Sequence, residues 1–181
     1  MRASSLPHRR ASGCASTDVA GIPIYTTAIR PEWIDYNGHL RDAYYGLIAS
    51  EATDALMDRL GLDAAYRART GCTLYTVEMH VHFLQEVKQD DTVAVAVRVL
   101  GFDHKRIHAV FEIARSGAAQ AAASVELMLL HVRQERERAA SAPFPNEVAA
   151  SLAELRAASA ALPSAAAGSR RMELPPARPG P

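Results

Sequence analysis

Two cysteines in 181 residues, Cys14 and Cys72, cannot build the bridge framework on which small secreted domains depend, so a reducing, cytoplasmic setting is expected. No stretch approaches the roughly 18 uninterrupted apolar residues of a membrane span. Positive charge is scarce where a nucleic-acid module would need it. Residues 21–132 carry ten Lys and Arg against fourteen Asp and Glu, which argues against a nucleic-acid partner. There is no G-x-G-x-x-G, no G-x-x-x-x-G-K-[ST] and no serine in a G-x-S-x-G elbow. Dinucleotide, P-loop and Ser-His-Asp readings therefore have no support. Aromatic residues are only 6% of the chain, which makes their clustering informative.

Hydrophobic residues make up 49% and charged residues 22%, enough to bury one core of ordinary size. Residues 1–20 hold Arg2, Arg9 and Arg10 with several serines and read as a disordered leader. Residues 163–181, rich in Ala, Pro, Gly and Arg, read as a disordered tail. Between them, residues 21–133 form the expected domain and residues 134–162 a linker with a helix. That helix starts at Asn146, with Val148, Leu152 and Leu155 at helical spacing, and is expected to dock on the domain surface.

The domain opens with a short strand, Ile24 to Ile29. A helix from Asp42 to Leu60 follows, with Tyr44, Leu47, Ile48, Ala52, Ala55 and Leu56 as its apolar stripe and Gly61 as its stop. A short helical turn runs from Asp63 to Arg69. The period then drops to two. Val77, Met79, Val81 and Phe83 alternate with polar neighbours, and Val93 to Val99, Ile107 to Ile113 and Val125 to Val132 repeat the pattern. Asp90-Asp91, Asp103-His104 and Ser116-Gly117 supply the turns. The expected architecture is α+β: a five-stranded antiparallel sheet curled around one long helix.

The densest chemistry lies in Trp33-Ile34-Asp35-Tyr36-Asn37-Gly38-His39-Leu40-Arg41-Asp42, running into Tyr44 and Tyr45. Asp35 sits among aromatics, where desolvation would raise its basicity. Gly38 admits close approach of a ligand. The amides of Leu40 to Ala43 would present the positive end of the helix dipole to a developing oxyanion. A carboxylate facing such amides can hydrolyse an acyl group. An Asx-turn leading into a helix capped by Asp35 or Asp42 explains the same residues without catalysis.

The D-x-x-G-H text before a lone helix and four long strands resembles the hotdog-fold acyl-CoA thioesterases of the 4-hydroxybenzoyl-CoA thioesterase type. The longer runs Pro31 to His39, Ala43-Tyr44-Tyr45, Ala52 to Leu56, Gly61 to Arg67 and Leu74 to Glu78 are similar to the betainyl-CoA thioesterase group. That group includes the thioesterase domain fused behind carnitine 3-dehydrogenases, and a stand-alone enzyme is expected here. The resemblance implies a hotdog fold, a homodimer or homotetramer with an interfacial site, and hydrolysis of betainyl-CoA to betaine and CoA. It implies Asp35 as base or nucleophile, the Asp42 amide as oxyanion donor, and Gly38 and His39 as the motif's pair. No metal or redox cofactor is implied, and the acyl-CoA is the partner.

Arg41 departs from the common pattern and would disfavour a cationic acyl group if it pointed inward. Trp33, Tyr36, Asn37, Tyr44, Tyr45, Tyr75 and Glu78 are the expected substrate contacts, the aromatics and Glu78 as a cage for a quaternary ammonium. Each also reads as packing or a solvated face. Lys105 and Arg106 are candidates for the CoA phosphates, and Glu51, on the helix stripe, is the alternative catalytic carboxylate. His80-x-His82 has a metal-like spacing without a third ligand nearby. The alternative functions are hydrolysis of another short-chain or aromatic acyl-CoA, and a non-catalytic acyl-CoA-binding hotdog protein.

Overall fold

A computed structural model describes residues 21–135 and 138–162; Cys14, the expected leader and the expected tail lie outside that range. Strand β1 (Ile22–Ala28) leads through a single turn at Pro31–Trp33 and a tight hairpin into α1 (Asp42–Arg59). Helix α2 (Ala64–Thr70) follows, capped by Asp63 and stopped by Gly71. Then come β2 (Cys72–Phe83), β3 (Thr92–Phe102), β4 (Arg106–Arg115), β5 (Ala123–Glu135), β6 (Arg138–Ser141) and α3 (Asn146–Ala160). The sheet order is β1-β3-β4-β5-β2, all antiparallel, with β6 paired to the end of β5. The α+β class and antiparallel sheet are as expected. Among the described residues the sheet has six strands rather than five, β6 being the addition, and α2 and α3, expected as a short helical turn and a docked helix, accompany the one long helix.

Helix α1 buries Ile48, Ala49, Ala52 and Leu56 against the odd-numbered residues of the central strands, from Val93 to Leu129. Helix α3 joins the same hydrophobic cluster through Val148, Leu152 and Leu155. It is also tied to the sheet by the Val99 N–H, which donates to Ser159 Oγ at 3.0 Å.

The expected alternation along β2 does not translate into burial. The ladder to β5 slips between Thr76 and Glu78, leaving Val77 as the extra residue, 53% exposed. Because strand side chains alternate with a period of two, this bulge exchanges the faces on either side of it. Cys72 and Leu74 are buried before the bulge, whereas Met79 and Val81 take the inner face after it. A similar slip between Val99 and Gly101 leaves Leu100 unpaired and exposed. Even-numbered positions of the central strands carry a second buried set that includes Arg98, Glu112, His108 and Glu126. His108 Nε2 lies 2.7 Å from Glu126, and Arg98 Nε lies 3.9 Å from Glu112.

Candidate active site

The D-x-x-G-H spacing is the spacing of one hairpin. Asp35 N–H donates to His39 O at 2.9 Å, Gly38 N–H returns to Asp35 O at 3.1 Å, and Ile34 bridges Leu40. This is the three-residue hairpin loop whose last position must be left-handed, and Gly38 holds φ +80°. A Cβ at Gly38 would meet nothing within 4 Å, so it is the left-handed turn, not crowding by the protein, that calls for glycine here.

Within the loop, Asp35 Oδ1 accepts the Asn37 amide at 2.8 Å and the His39 amide at 3.2 Å, an Asx-turn. Its Oδ2 has only a 3.5 Å contact with Asn37 Nδ2. The His39 amide holds the Asp35 carboxyl below its ordinary value; desolvation opposes it, and the Asn37 amide and side chain add to the lowering. The expected rise in basicity is therefore reversed, because amides stabilise the ionised form more than the aromatics desolvate it.

The hairpin delivers the chain directly to α1. Two of the amides expected to be free there are spent: Leu40 N–H on Val87 O at 2.7 Å and Arg41 N–H on Trp33 O at 3.0 Å. The Asp42 carboxylate takes the Ala43 amide at 2.8 Å, and Tyr44 N–H turns back to Arg41 O. Arg41 occupies the cap position and its side chain has no acceptor to offer the first-turn amides, so neither Asp35 nor Asp42 stands as the cap residue. Among the described residues this leaves the Asp42 N–H as the one amide from Leu40 to Tyr44 with no partner. It lies at the positive end of an 18-residue helix.

These groups meet in a cleft of about 550 Å³ that Asp35, His39, Arg41, Asp42 and Tyr45 share with the end of β2 and the segment that follows it, Phe83 to Val87. That segment is pinned by Leu84 and Gln85 amides on Ala122 O and by the His39–Lys88 bridge. His39 Nε2 sits 3.0 Å from Glu86 Oε2. Tyr45, buried, meets the 57%-exposed Phe83 edge to face at 5.1 Å.

The remaining expected contacts lie elsewhere. Trp33 is buried and stacks on Tyr44 at 5.4 Å under the Arg30 guanidinium. Tyr36, at the hairpin tip, is 96% exposed. Tyr75 lies before the β2 bulge, accepting a hydrogen bond from Gln134, and Glu78 pairs with His80. The expected cage is thus not assembled within this chain, and Tyr45 alone of its aromatics lines the cleft. Glu51 accepts the Tyr25 hydroxyl and does not reach the cleft either.

The Lys105–Arg106 turn is at the other end of the sheet. Phe83 pairs with Ala123 and so with Ile113, whereas Arg106 is seven residues back along β4, about 23 Å away at strand spacing. There Arg106 is clamped on Asp103, and Lys105 reaches Ser141 at 3.2 Å. His80 lies opposite Glu126, and no cluster of three metal-type ligands occurs among the described residues. The residues missed from sequence are Phe83 and Glu86. Phe83 continues the β2 alternation and reads as core, and Glu86 reads as loop; only the fold brings them to the helix start.

Residues 29–152 match the model of the thioesterase-like superfamily. The chain belongs to this superfamily. This thioesterase is 47% identical over 154 residues to a betainyl-CoA thioesterase of Pseudomonas aeruginosa, covering 85% of the chain and 96% of that relative. It is 41% identical over 111 residues to the L-carnitine dehydrogenase/betainyl-CoA thioesterase of Agrobacterium fabrum, covering 61% of the chain but 22% of the longer protein. Among solved structures, a protein of Pseudomonas putida KT2440 assigned as a thioesterase superposes with a TM-score of 0.72 at 39% identity. The match covers 87% of this chain and 99% of that one. A Staphylococcus aureus protein solved in complex with CoA has the same fold, with a TM-score of 0.71 at 23% identity over 88% and 100% of the two chains.

Proposed function

We propose that this thioesterase hydrolyses betainyl-CoA to betaine and CoA, with Asp35 as base or nucleophile and the Asp42 amide as oxyanion donor. The observation that carries the chemistry is one cleft holding an ionised carboxylate with a largely free oxygen and an unpaired amide at a helix N-terminus. The thioester carbonyl oxygen accepts from Asp42 N–H, where the helix dipole stabilises the negative charge that builds as the carbonyl carbon becomes tetrahedral. Asp35 Oδ2 takes a proton from the attacking water, or adds to the carbonyl carbon and forms a mixed anhydride that water opens. In either case the C–S bond breaks and CoA leaves as the thiolate. Gly38 shapes the loop, and the amides of Asn37 and His39 hold Asp35 in place. Neither route calls for a metal or redox cofactor. The acyl group is read from the Pseudomonas aeruginosa relative.

The reading includes a homodimer, itself able to pair into a tetramer, working in the cytoplasm on residues 21–133 with α3 docked on them. Support for the dimer is β2, an outer strand of 12 residues with no strand on its far side among the described residues. It exposes Tyr75 and Val77. Such an edge is a ready template for a second copy.

The test is thiol release from a panel of acyl-CoAs with wild type and Asp35→Asn. Betainyl-CoA is expected to be the best substrate, and the variant is expected to lose about 10²–10⁴-fold in kcat. An unimpaired variant would remove Asp35 from the mechanism. A different best thioester would replace the acyl group.

A further inference from the structure

We infer that Phe83, Tyr45 and Glu86 form the acyl-head subsite of this cleft and that they select a quaternary ammonium over a neutral group of the same shape; the inference rests on the betainyl-CoA reading. The carbonyl and the trimethylammonium nitrogen of a betainyl group are separated by a single methylene. The head must therefore sit beside the residues that handle the carbonyl. Tyr45 does so by helical geometry, three residues after Asp42 and hence on the same face of α1. Its ring is held edge to face by Phe83 at 5.1 Å.

Phe83 is otherwise unexplained as a core residue. It ends β2, is more than half exposed, and lines the cleft, leaving ring surface open to a ligand. A ring face attracts a cation through its quadrupole, most strongly when both are shielded from water.

Glu86 adds charge. Its carboxylate, tethered through His39 to the loop that carries Asp35, brings the cleft to three carboxylates, with Asp35 and Asp42, against the single guanidinium of Arg41. A trimethylammonium group has no hydrogen to donate, so recognition by ring faces and a nearby carboxylate is the form available to it. Trp33 and Tyr44, which the sequence also places close to Asp35 and Asp42, are spent on each other.

The experiment compares kcat/KM for betainyl-CoA with that for 3,3-dimethylbutyryl-CoA, in which a quaternary carbon replaces the nitrogen. Wild type, Phe83→Leu and Glu86→Gln are assayed side by side. Leucine keeps apolar bulk without a ring, and glutamine keeps a hydrogen-bonding partner for His39 without the charge. Wild type is expected to prefer the cation, and each variant to lower that preference about 3- to 30-fold, through KM more than kcat. If wild type prefers betainyl-CoA and both variants keep the full preference, the subsite assignment is wrong while the substrate reading stands. If both thioesters fall in parallel in the variants, the residues are structural and the assignment is likewise overturned. If wild type shows no preference for the cation, the betainyl-CoA reading falls and takes this inference with it.

Discussion

Asp35 illustrates how one side chain serves a turn and a reaction together. Its Oδ1 closes the Asx-turn, which fixes the carboxylate and lowers its proton affinity, and Oδ2 remains for chemistry. A base whose folded pKa is depressed stays ionised as the pH falls and is lost only when protons bind below its ordinary value of 3.8. The acid limb of kcat/KM is therefore expected below about pH 4. The measurement is a pH–rate profile in the His39→Asn background, which removes the imidazole beside the loop. A limb near neutrality in that variant would mean that Asp35 is not the group being read. The motif's Asp, Gly and His were legible as a unit through the family resemblance, and the hairpin explains their spacing. The direction of the pKa shift was not legible, since it depends on where two backbone amides point.

At the level of elements, α1 keeps its expected bounds to within a residue, but its buried face is Tyr45, Ile48, Ala49, Ala52, Thr53 and Leu56, with Leu47 of the expected stripe exposed. Strands β3, β4 and β5 follow their alternation, with the odd-numbered residues in the core. Strand β2 departs from its own. A bulge at Val77 turns Tyr75 away from the face that Met79 and Val81 share, and no composition signal marks that slip. The pairing of β6 with β5 accompanies a further feature invisible in sequence. His131, almost fully buried, accepts at Nε2 from the Tyr66 hydroxyl at 3.1 Å. Its Nδ1–H donates to Ala142 O at 2.9 Å, joining α2, β5 and the start of the α3 approach. Burial, followed by the nearby Cys72 thiol, pushes the Tyr66 phenol up, which keeps it a donor. Tyr66→Phe leaves the imidazole nitrogen unpaired in a dry site and is expected to cost about 1–3 kcal/mol, read from the urea midpoint at unchanged m. A neutral result would mean that water reaches His131.

For the whole molecule, the proposed pairing through β2 has a direct consequence. Val77→Asp places a charge on the exposed bulge without disturbing a buried side chain, so it is expected to shift the assembly toward monomer and lower activity in step. Light scattering after size exclusion reads the mass, and thiol release reads the activity. A wild-type monomer with full activity would overturn the dimer.

The sequence by itself determined the strand–helix–meander order, the turns, and the hairpin bearing Asp35, because each depends on neighbours within a few residues. Tertiary structure alone decided which side chains share the cleft. It placed Phe83 and Glu86 beside the start of α1, withheld Trp33, Tyr36 and Tyr75, and set Lys105 and Arg106 at the opposite end of the sheet. Strand register and a one-residue bulge act on pairs distant in sequence, and periodicity carries no record of which distant partner a residue meets.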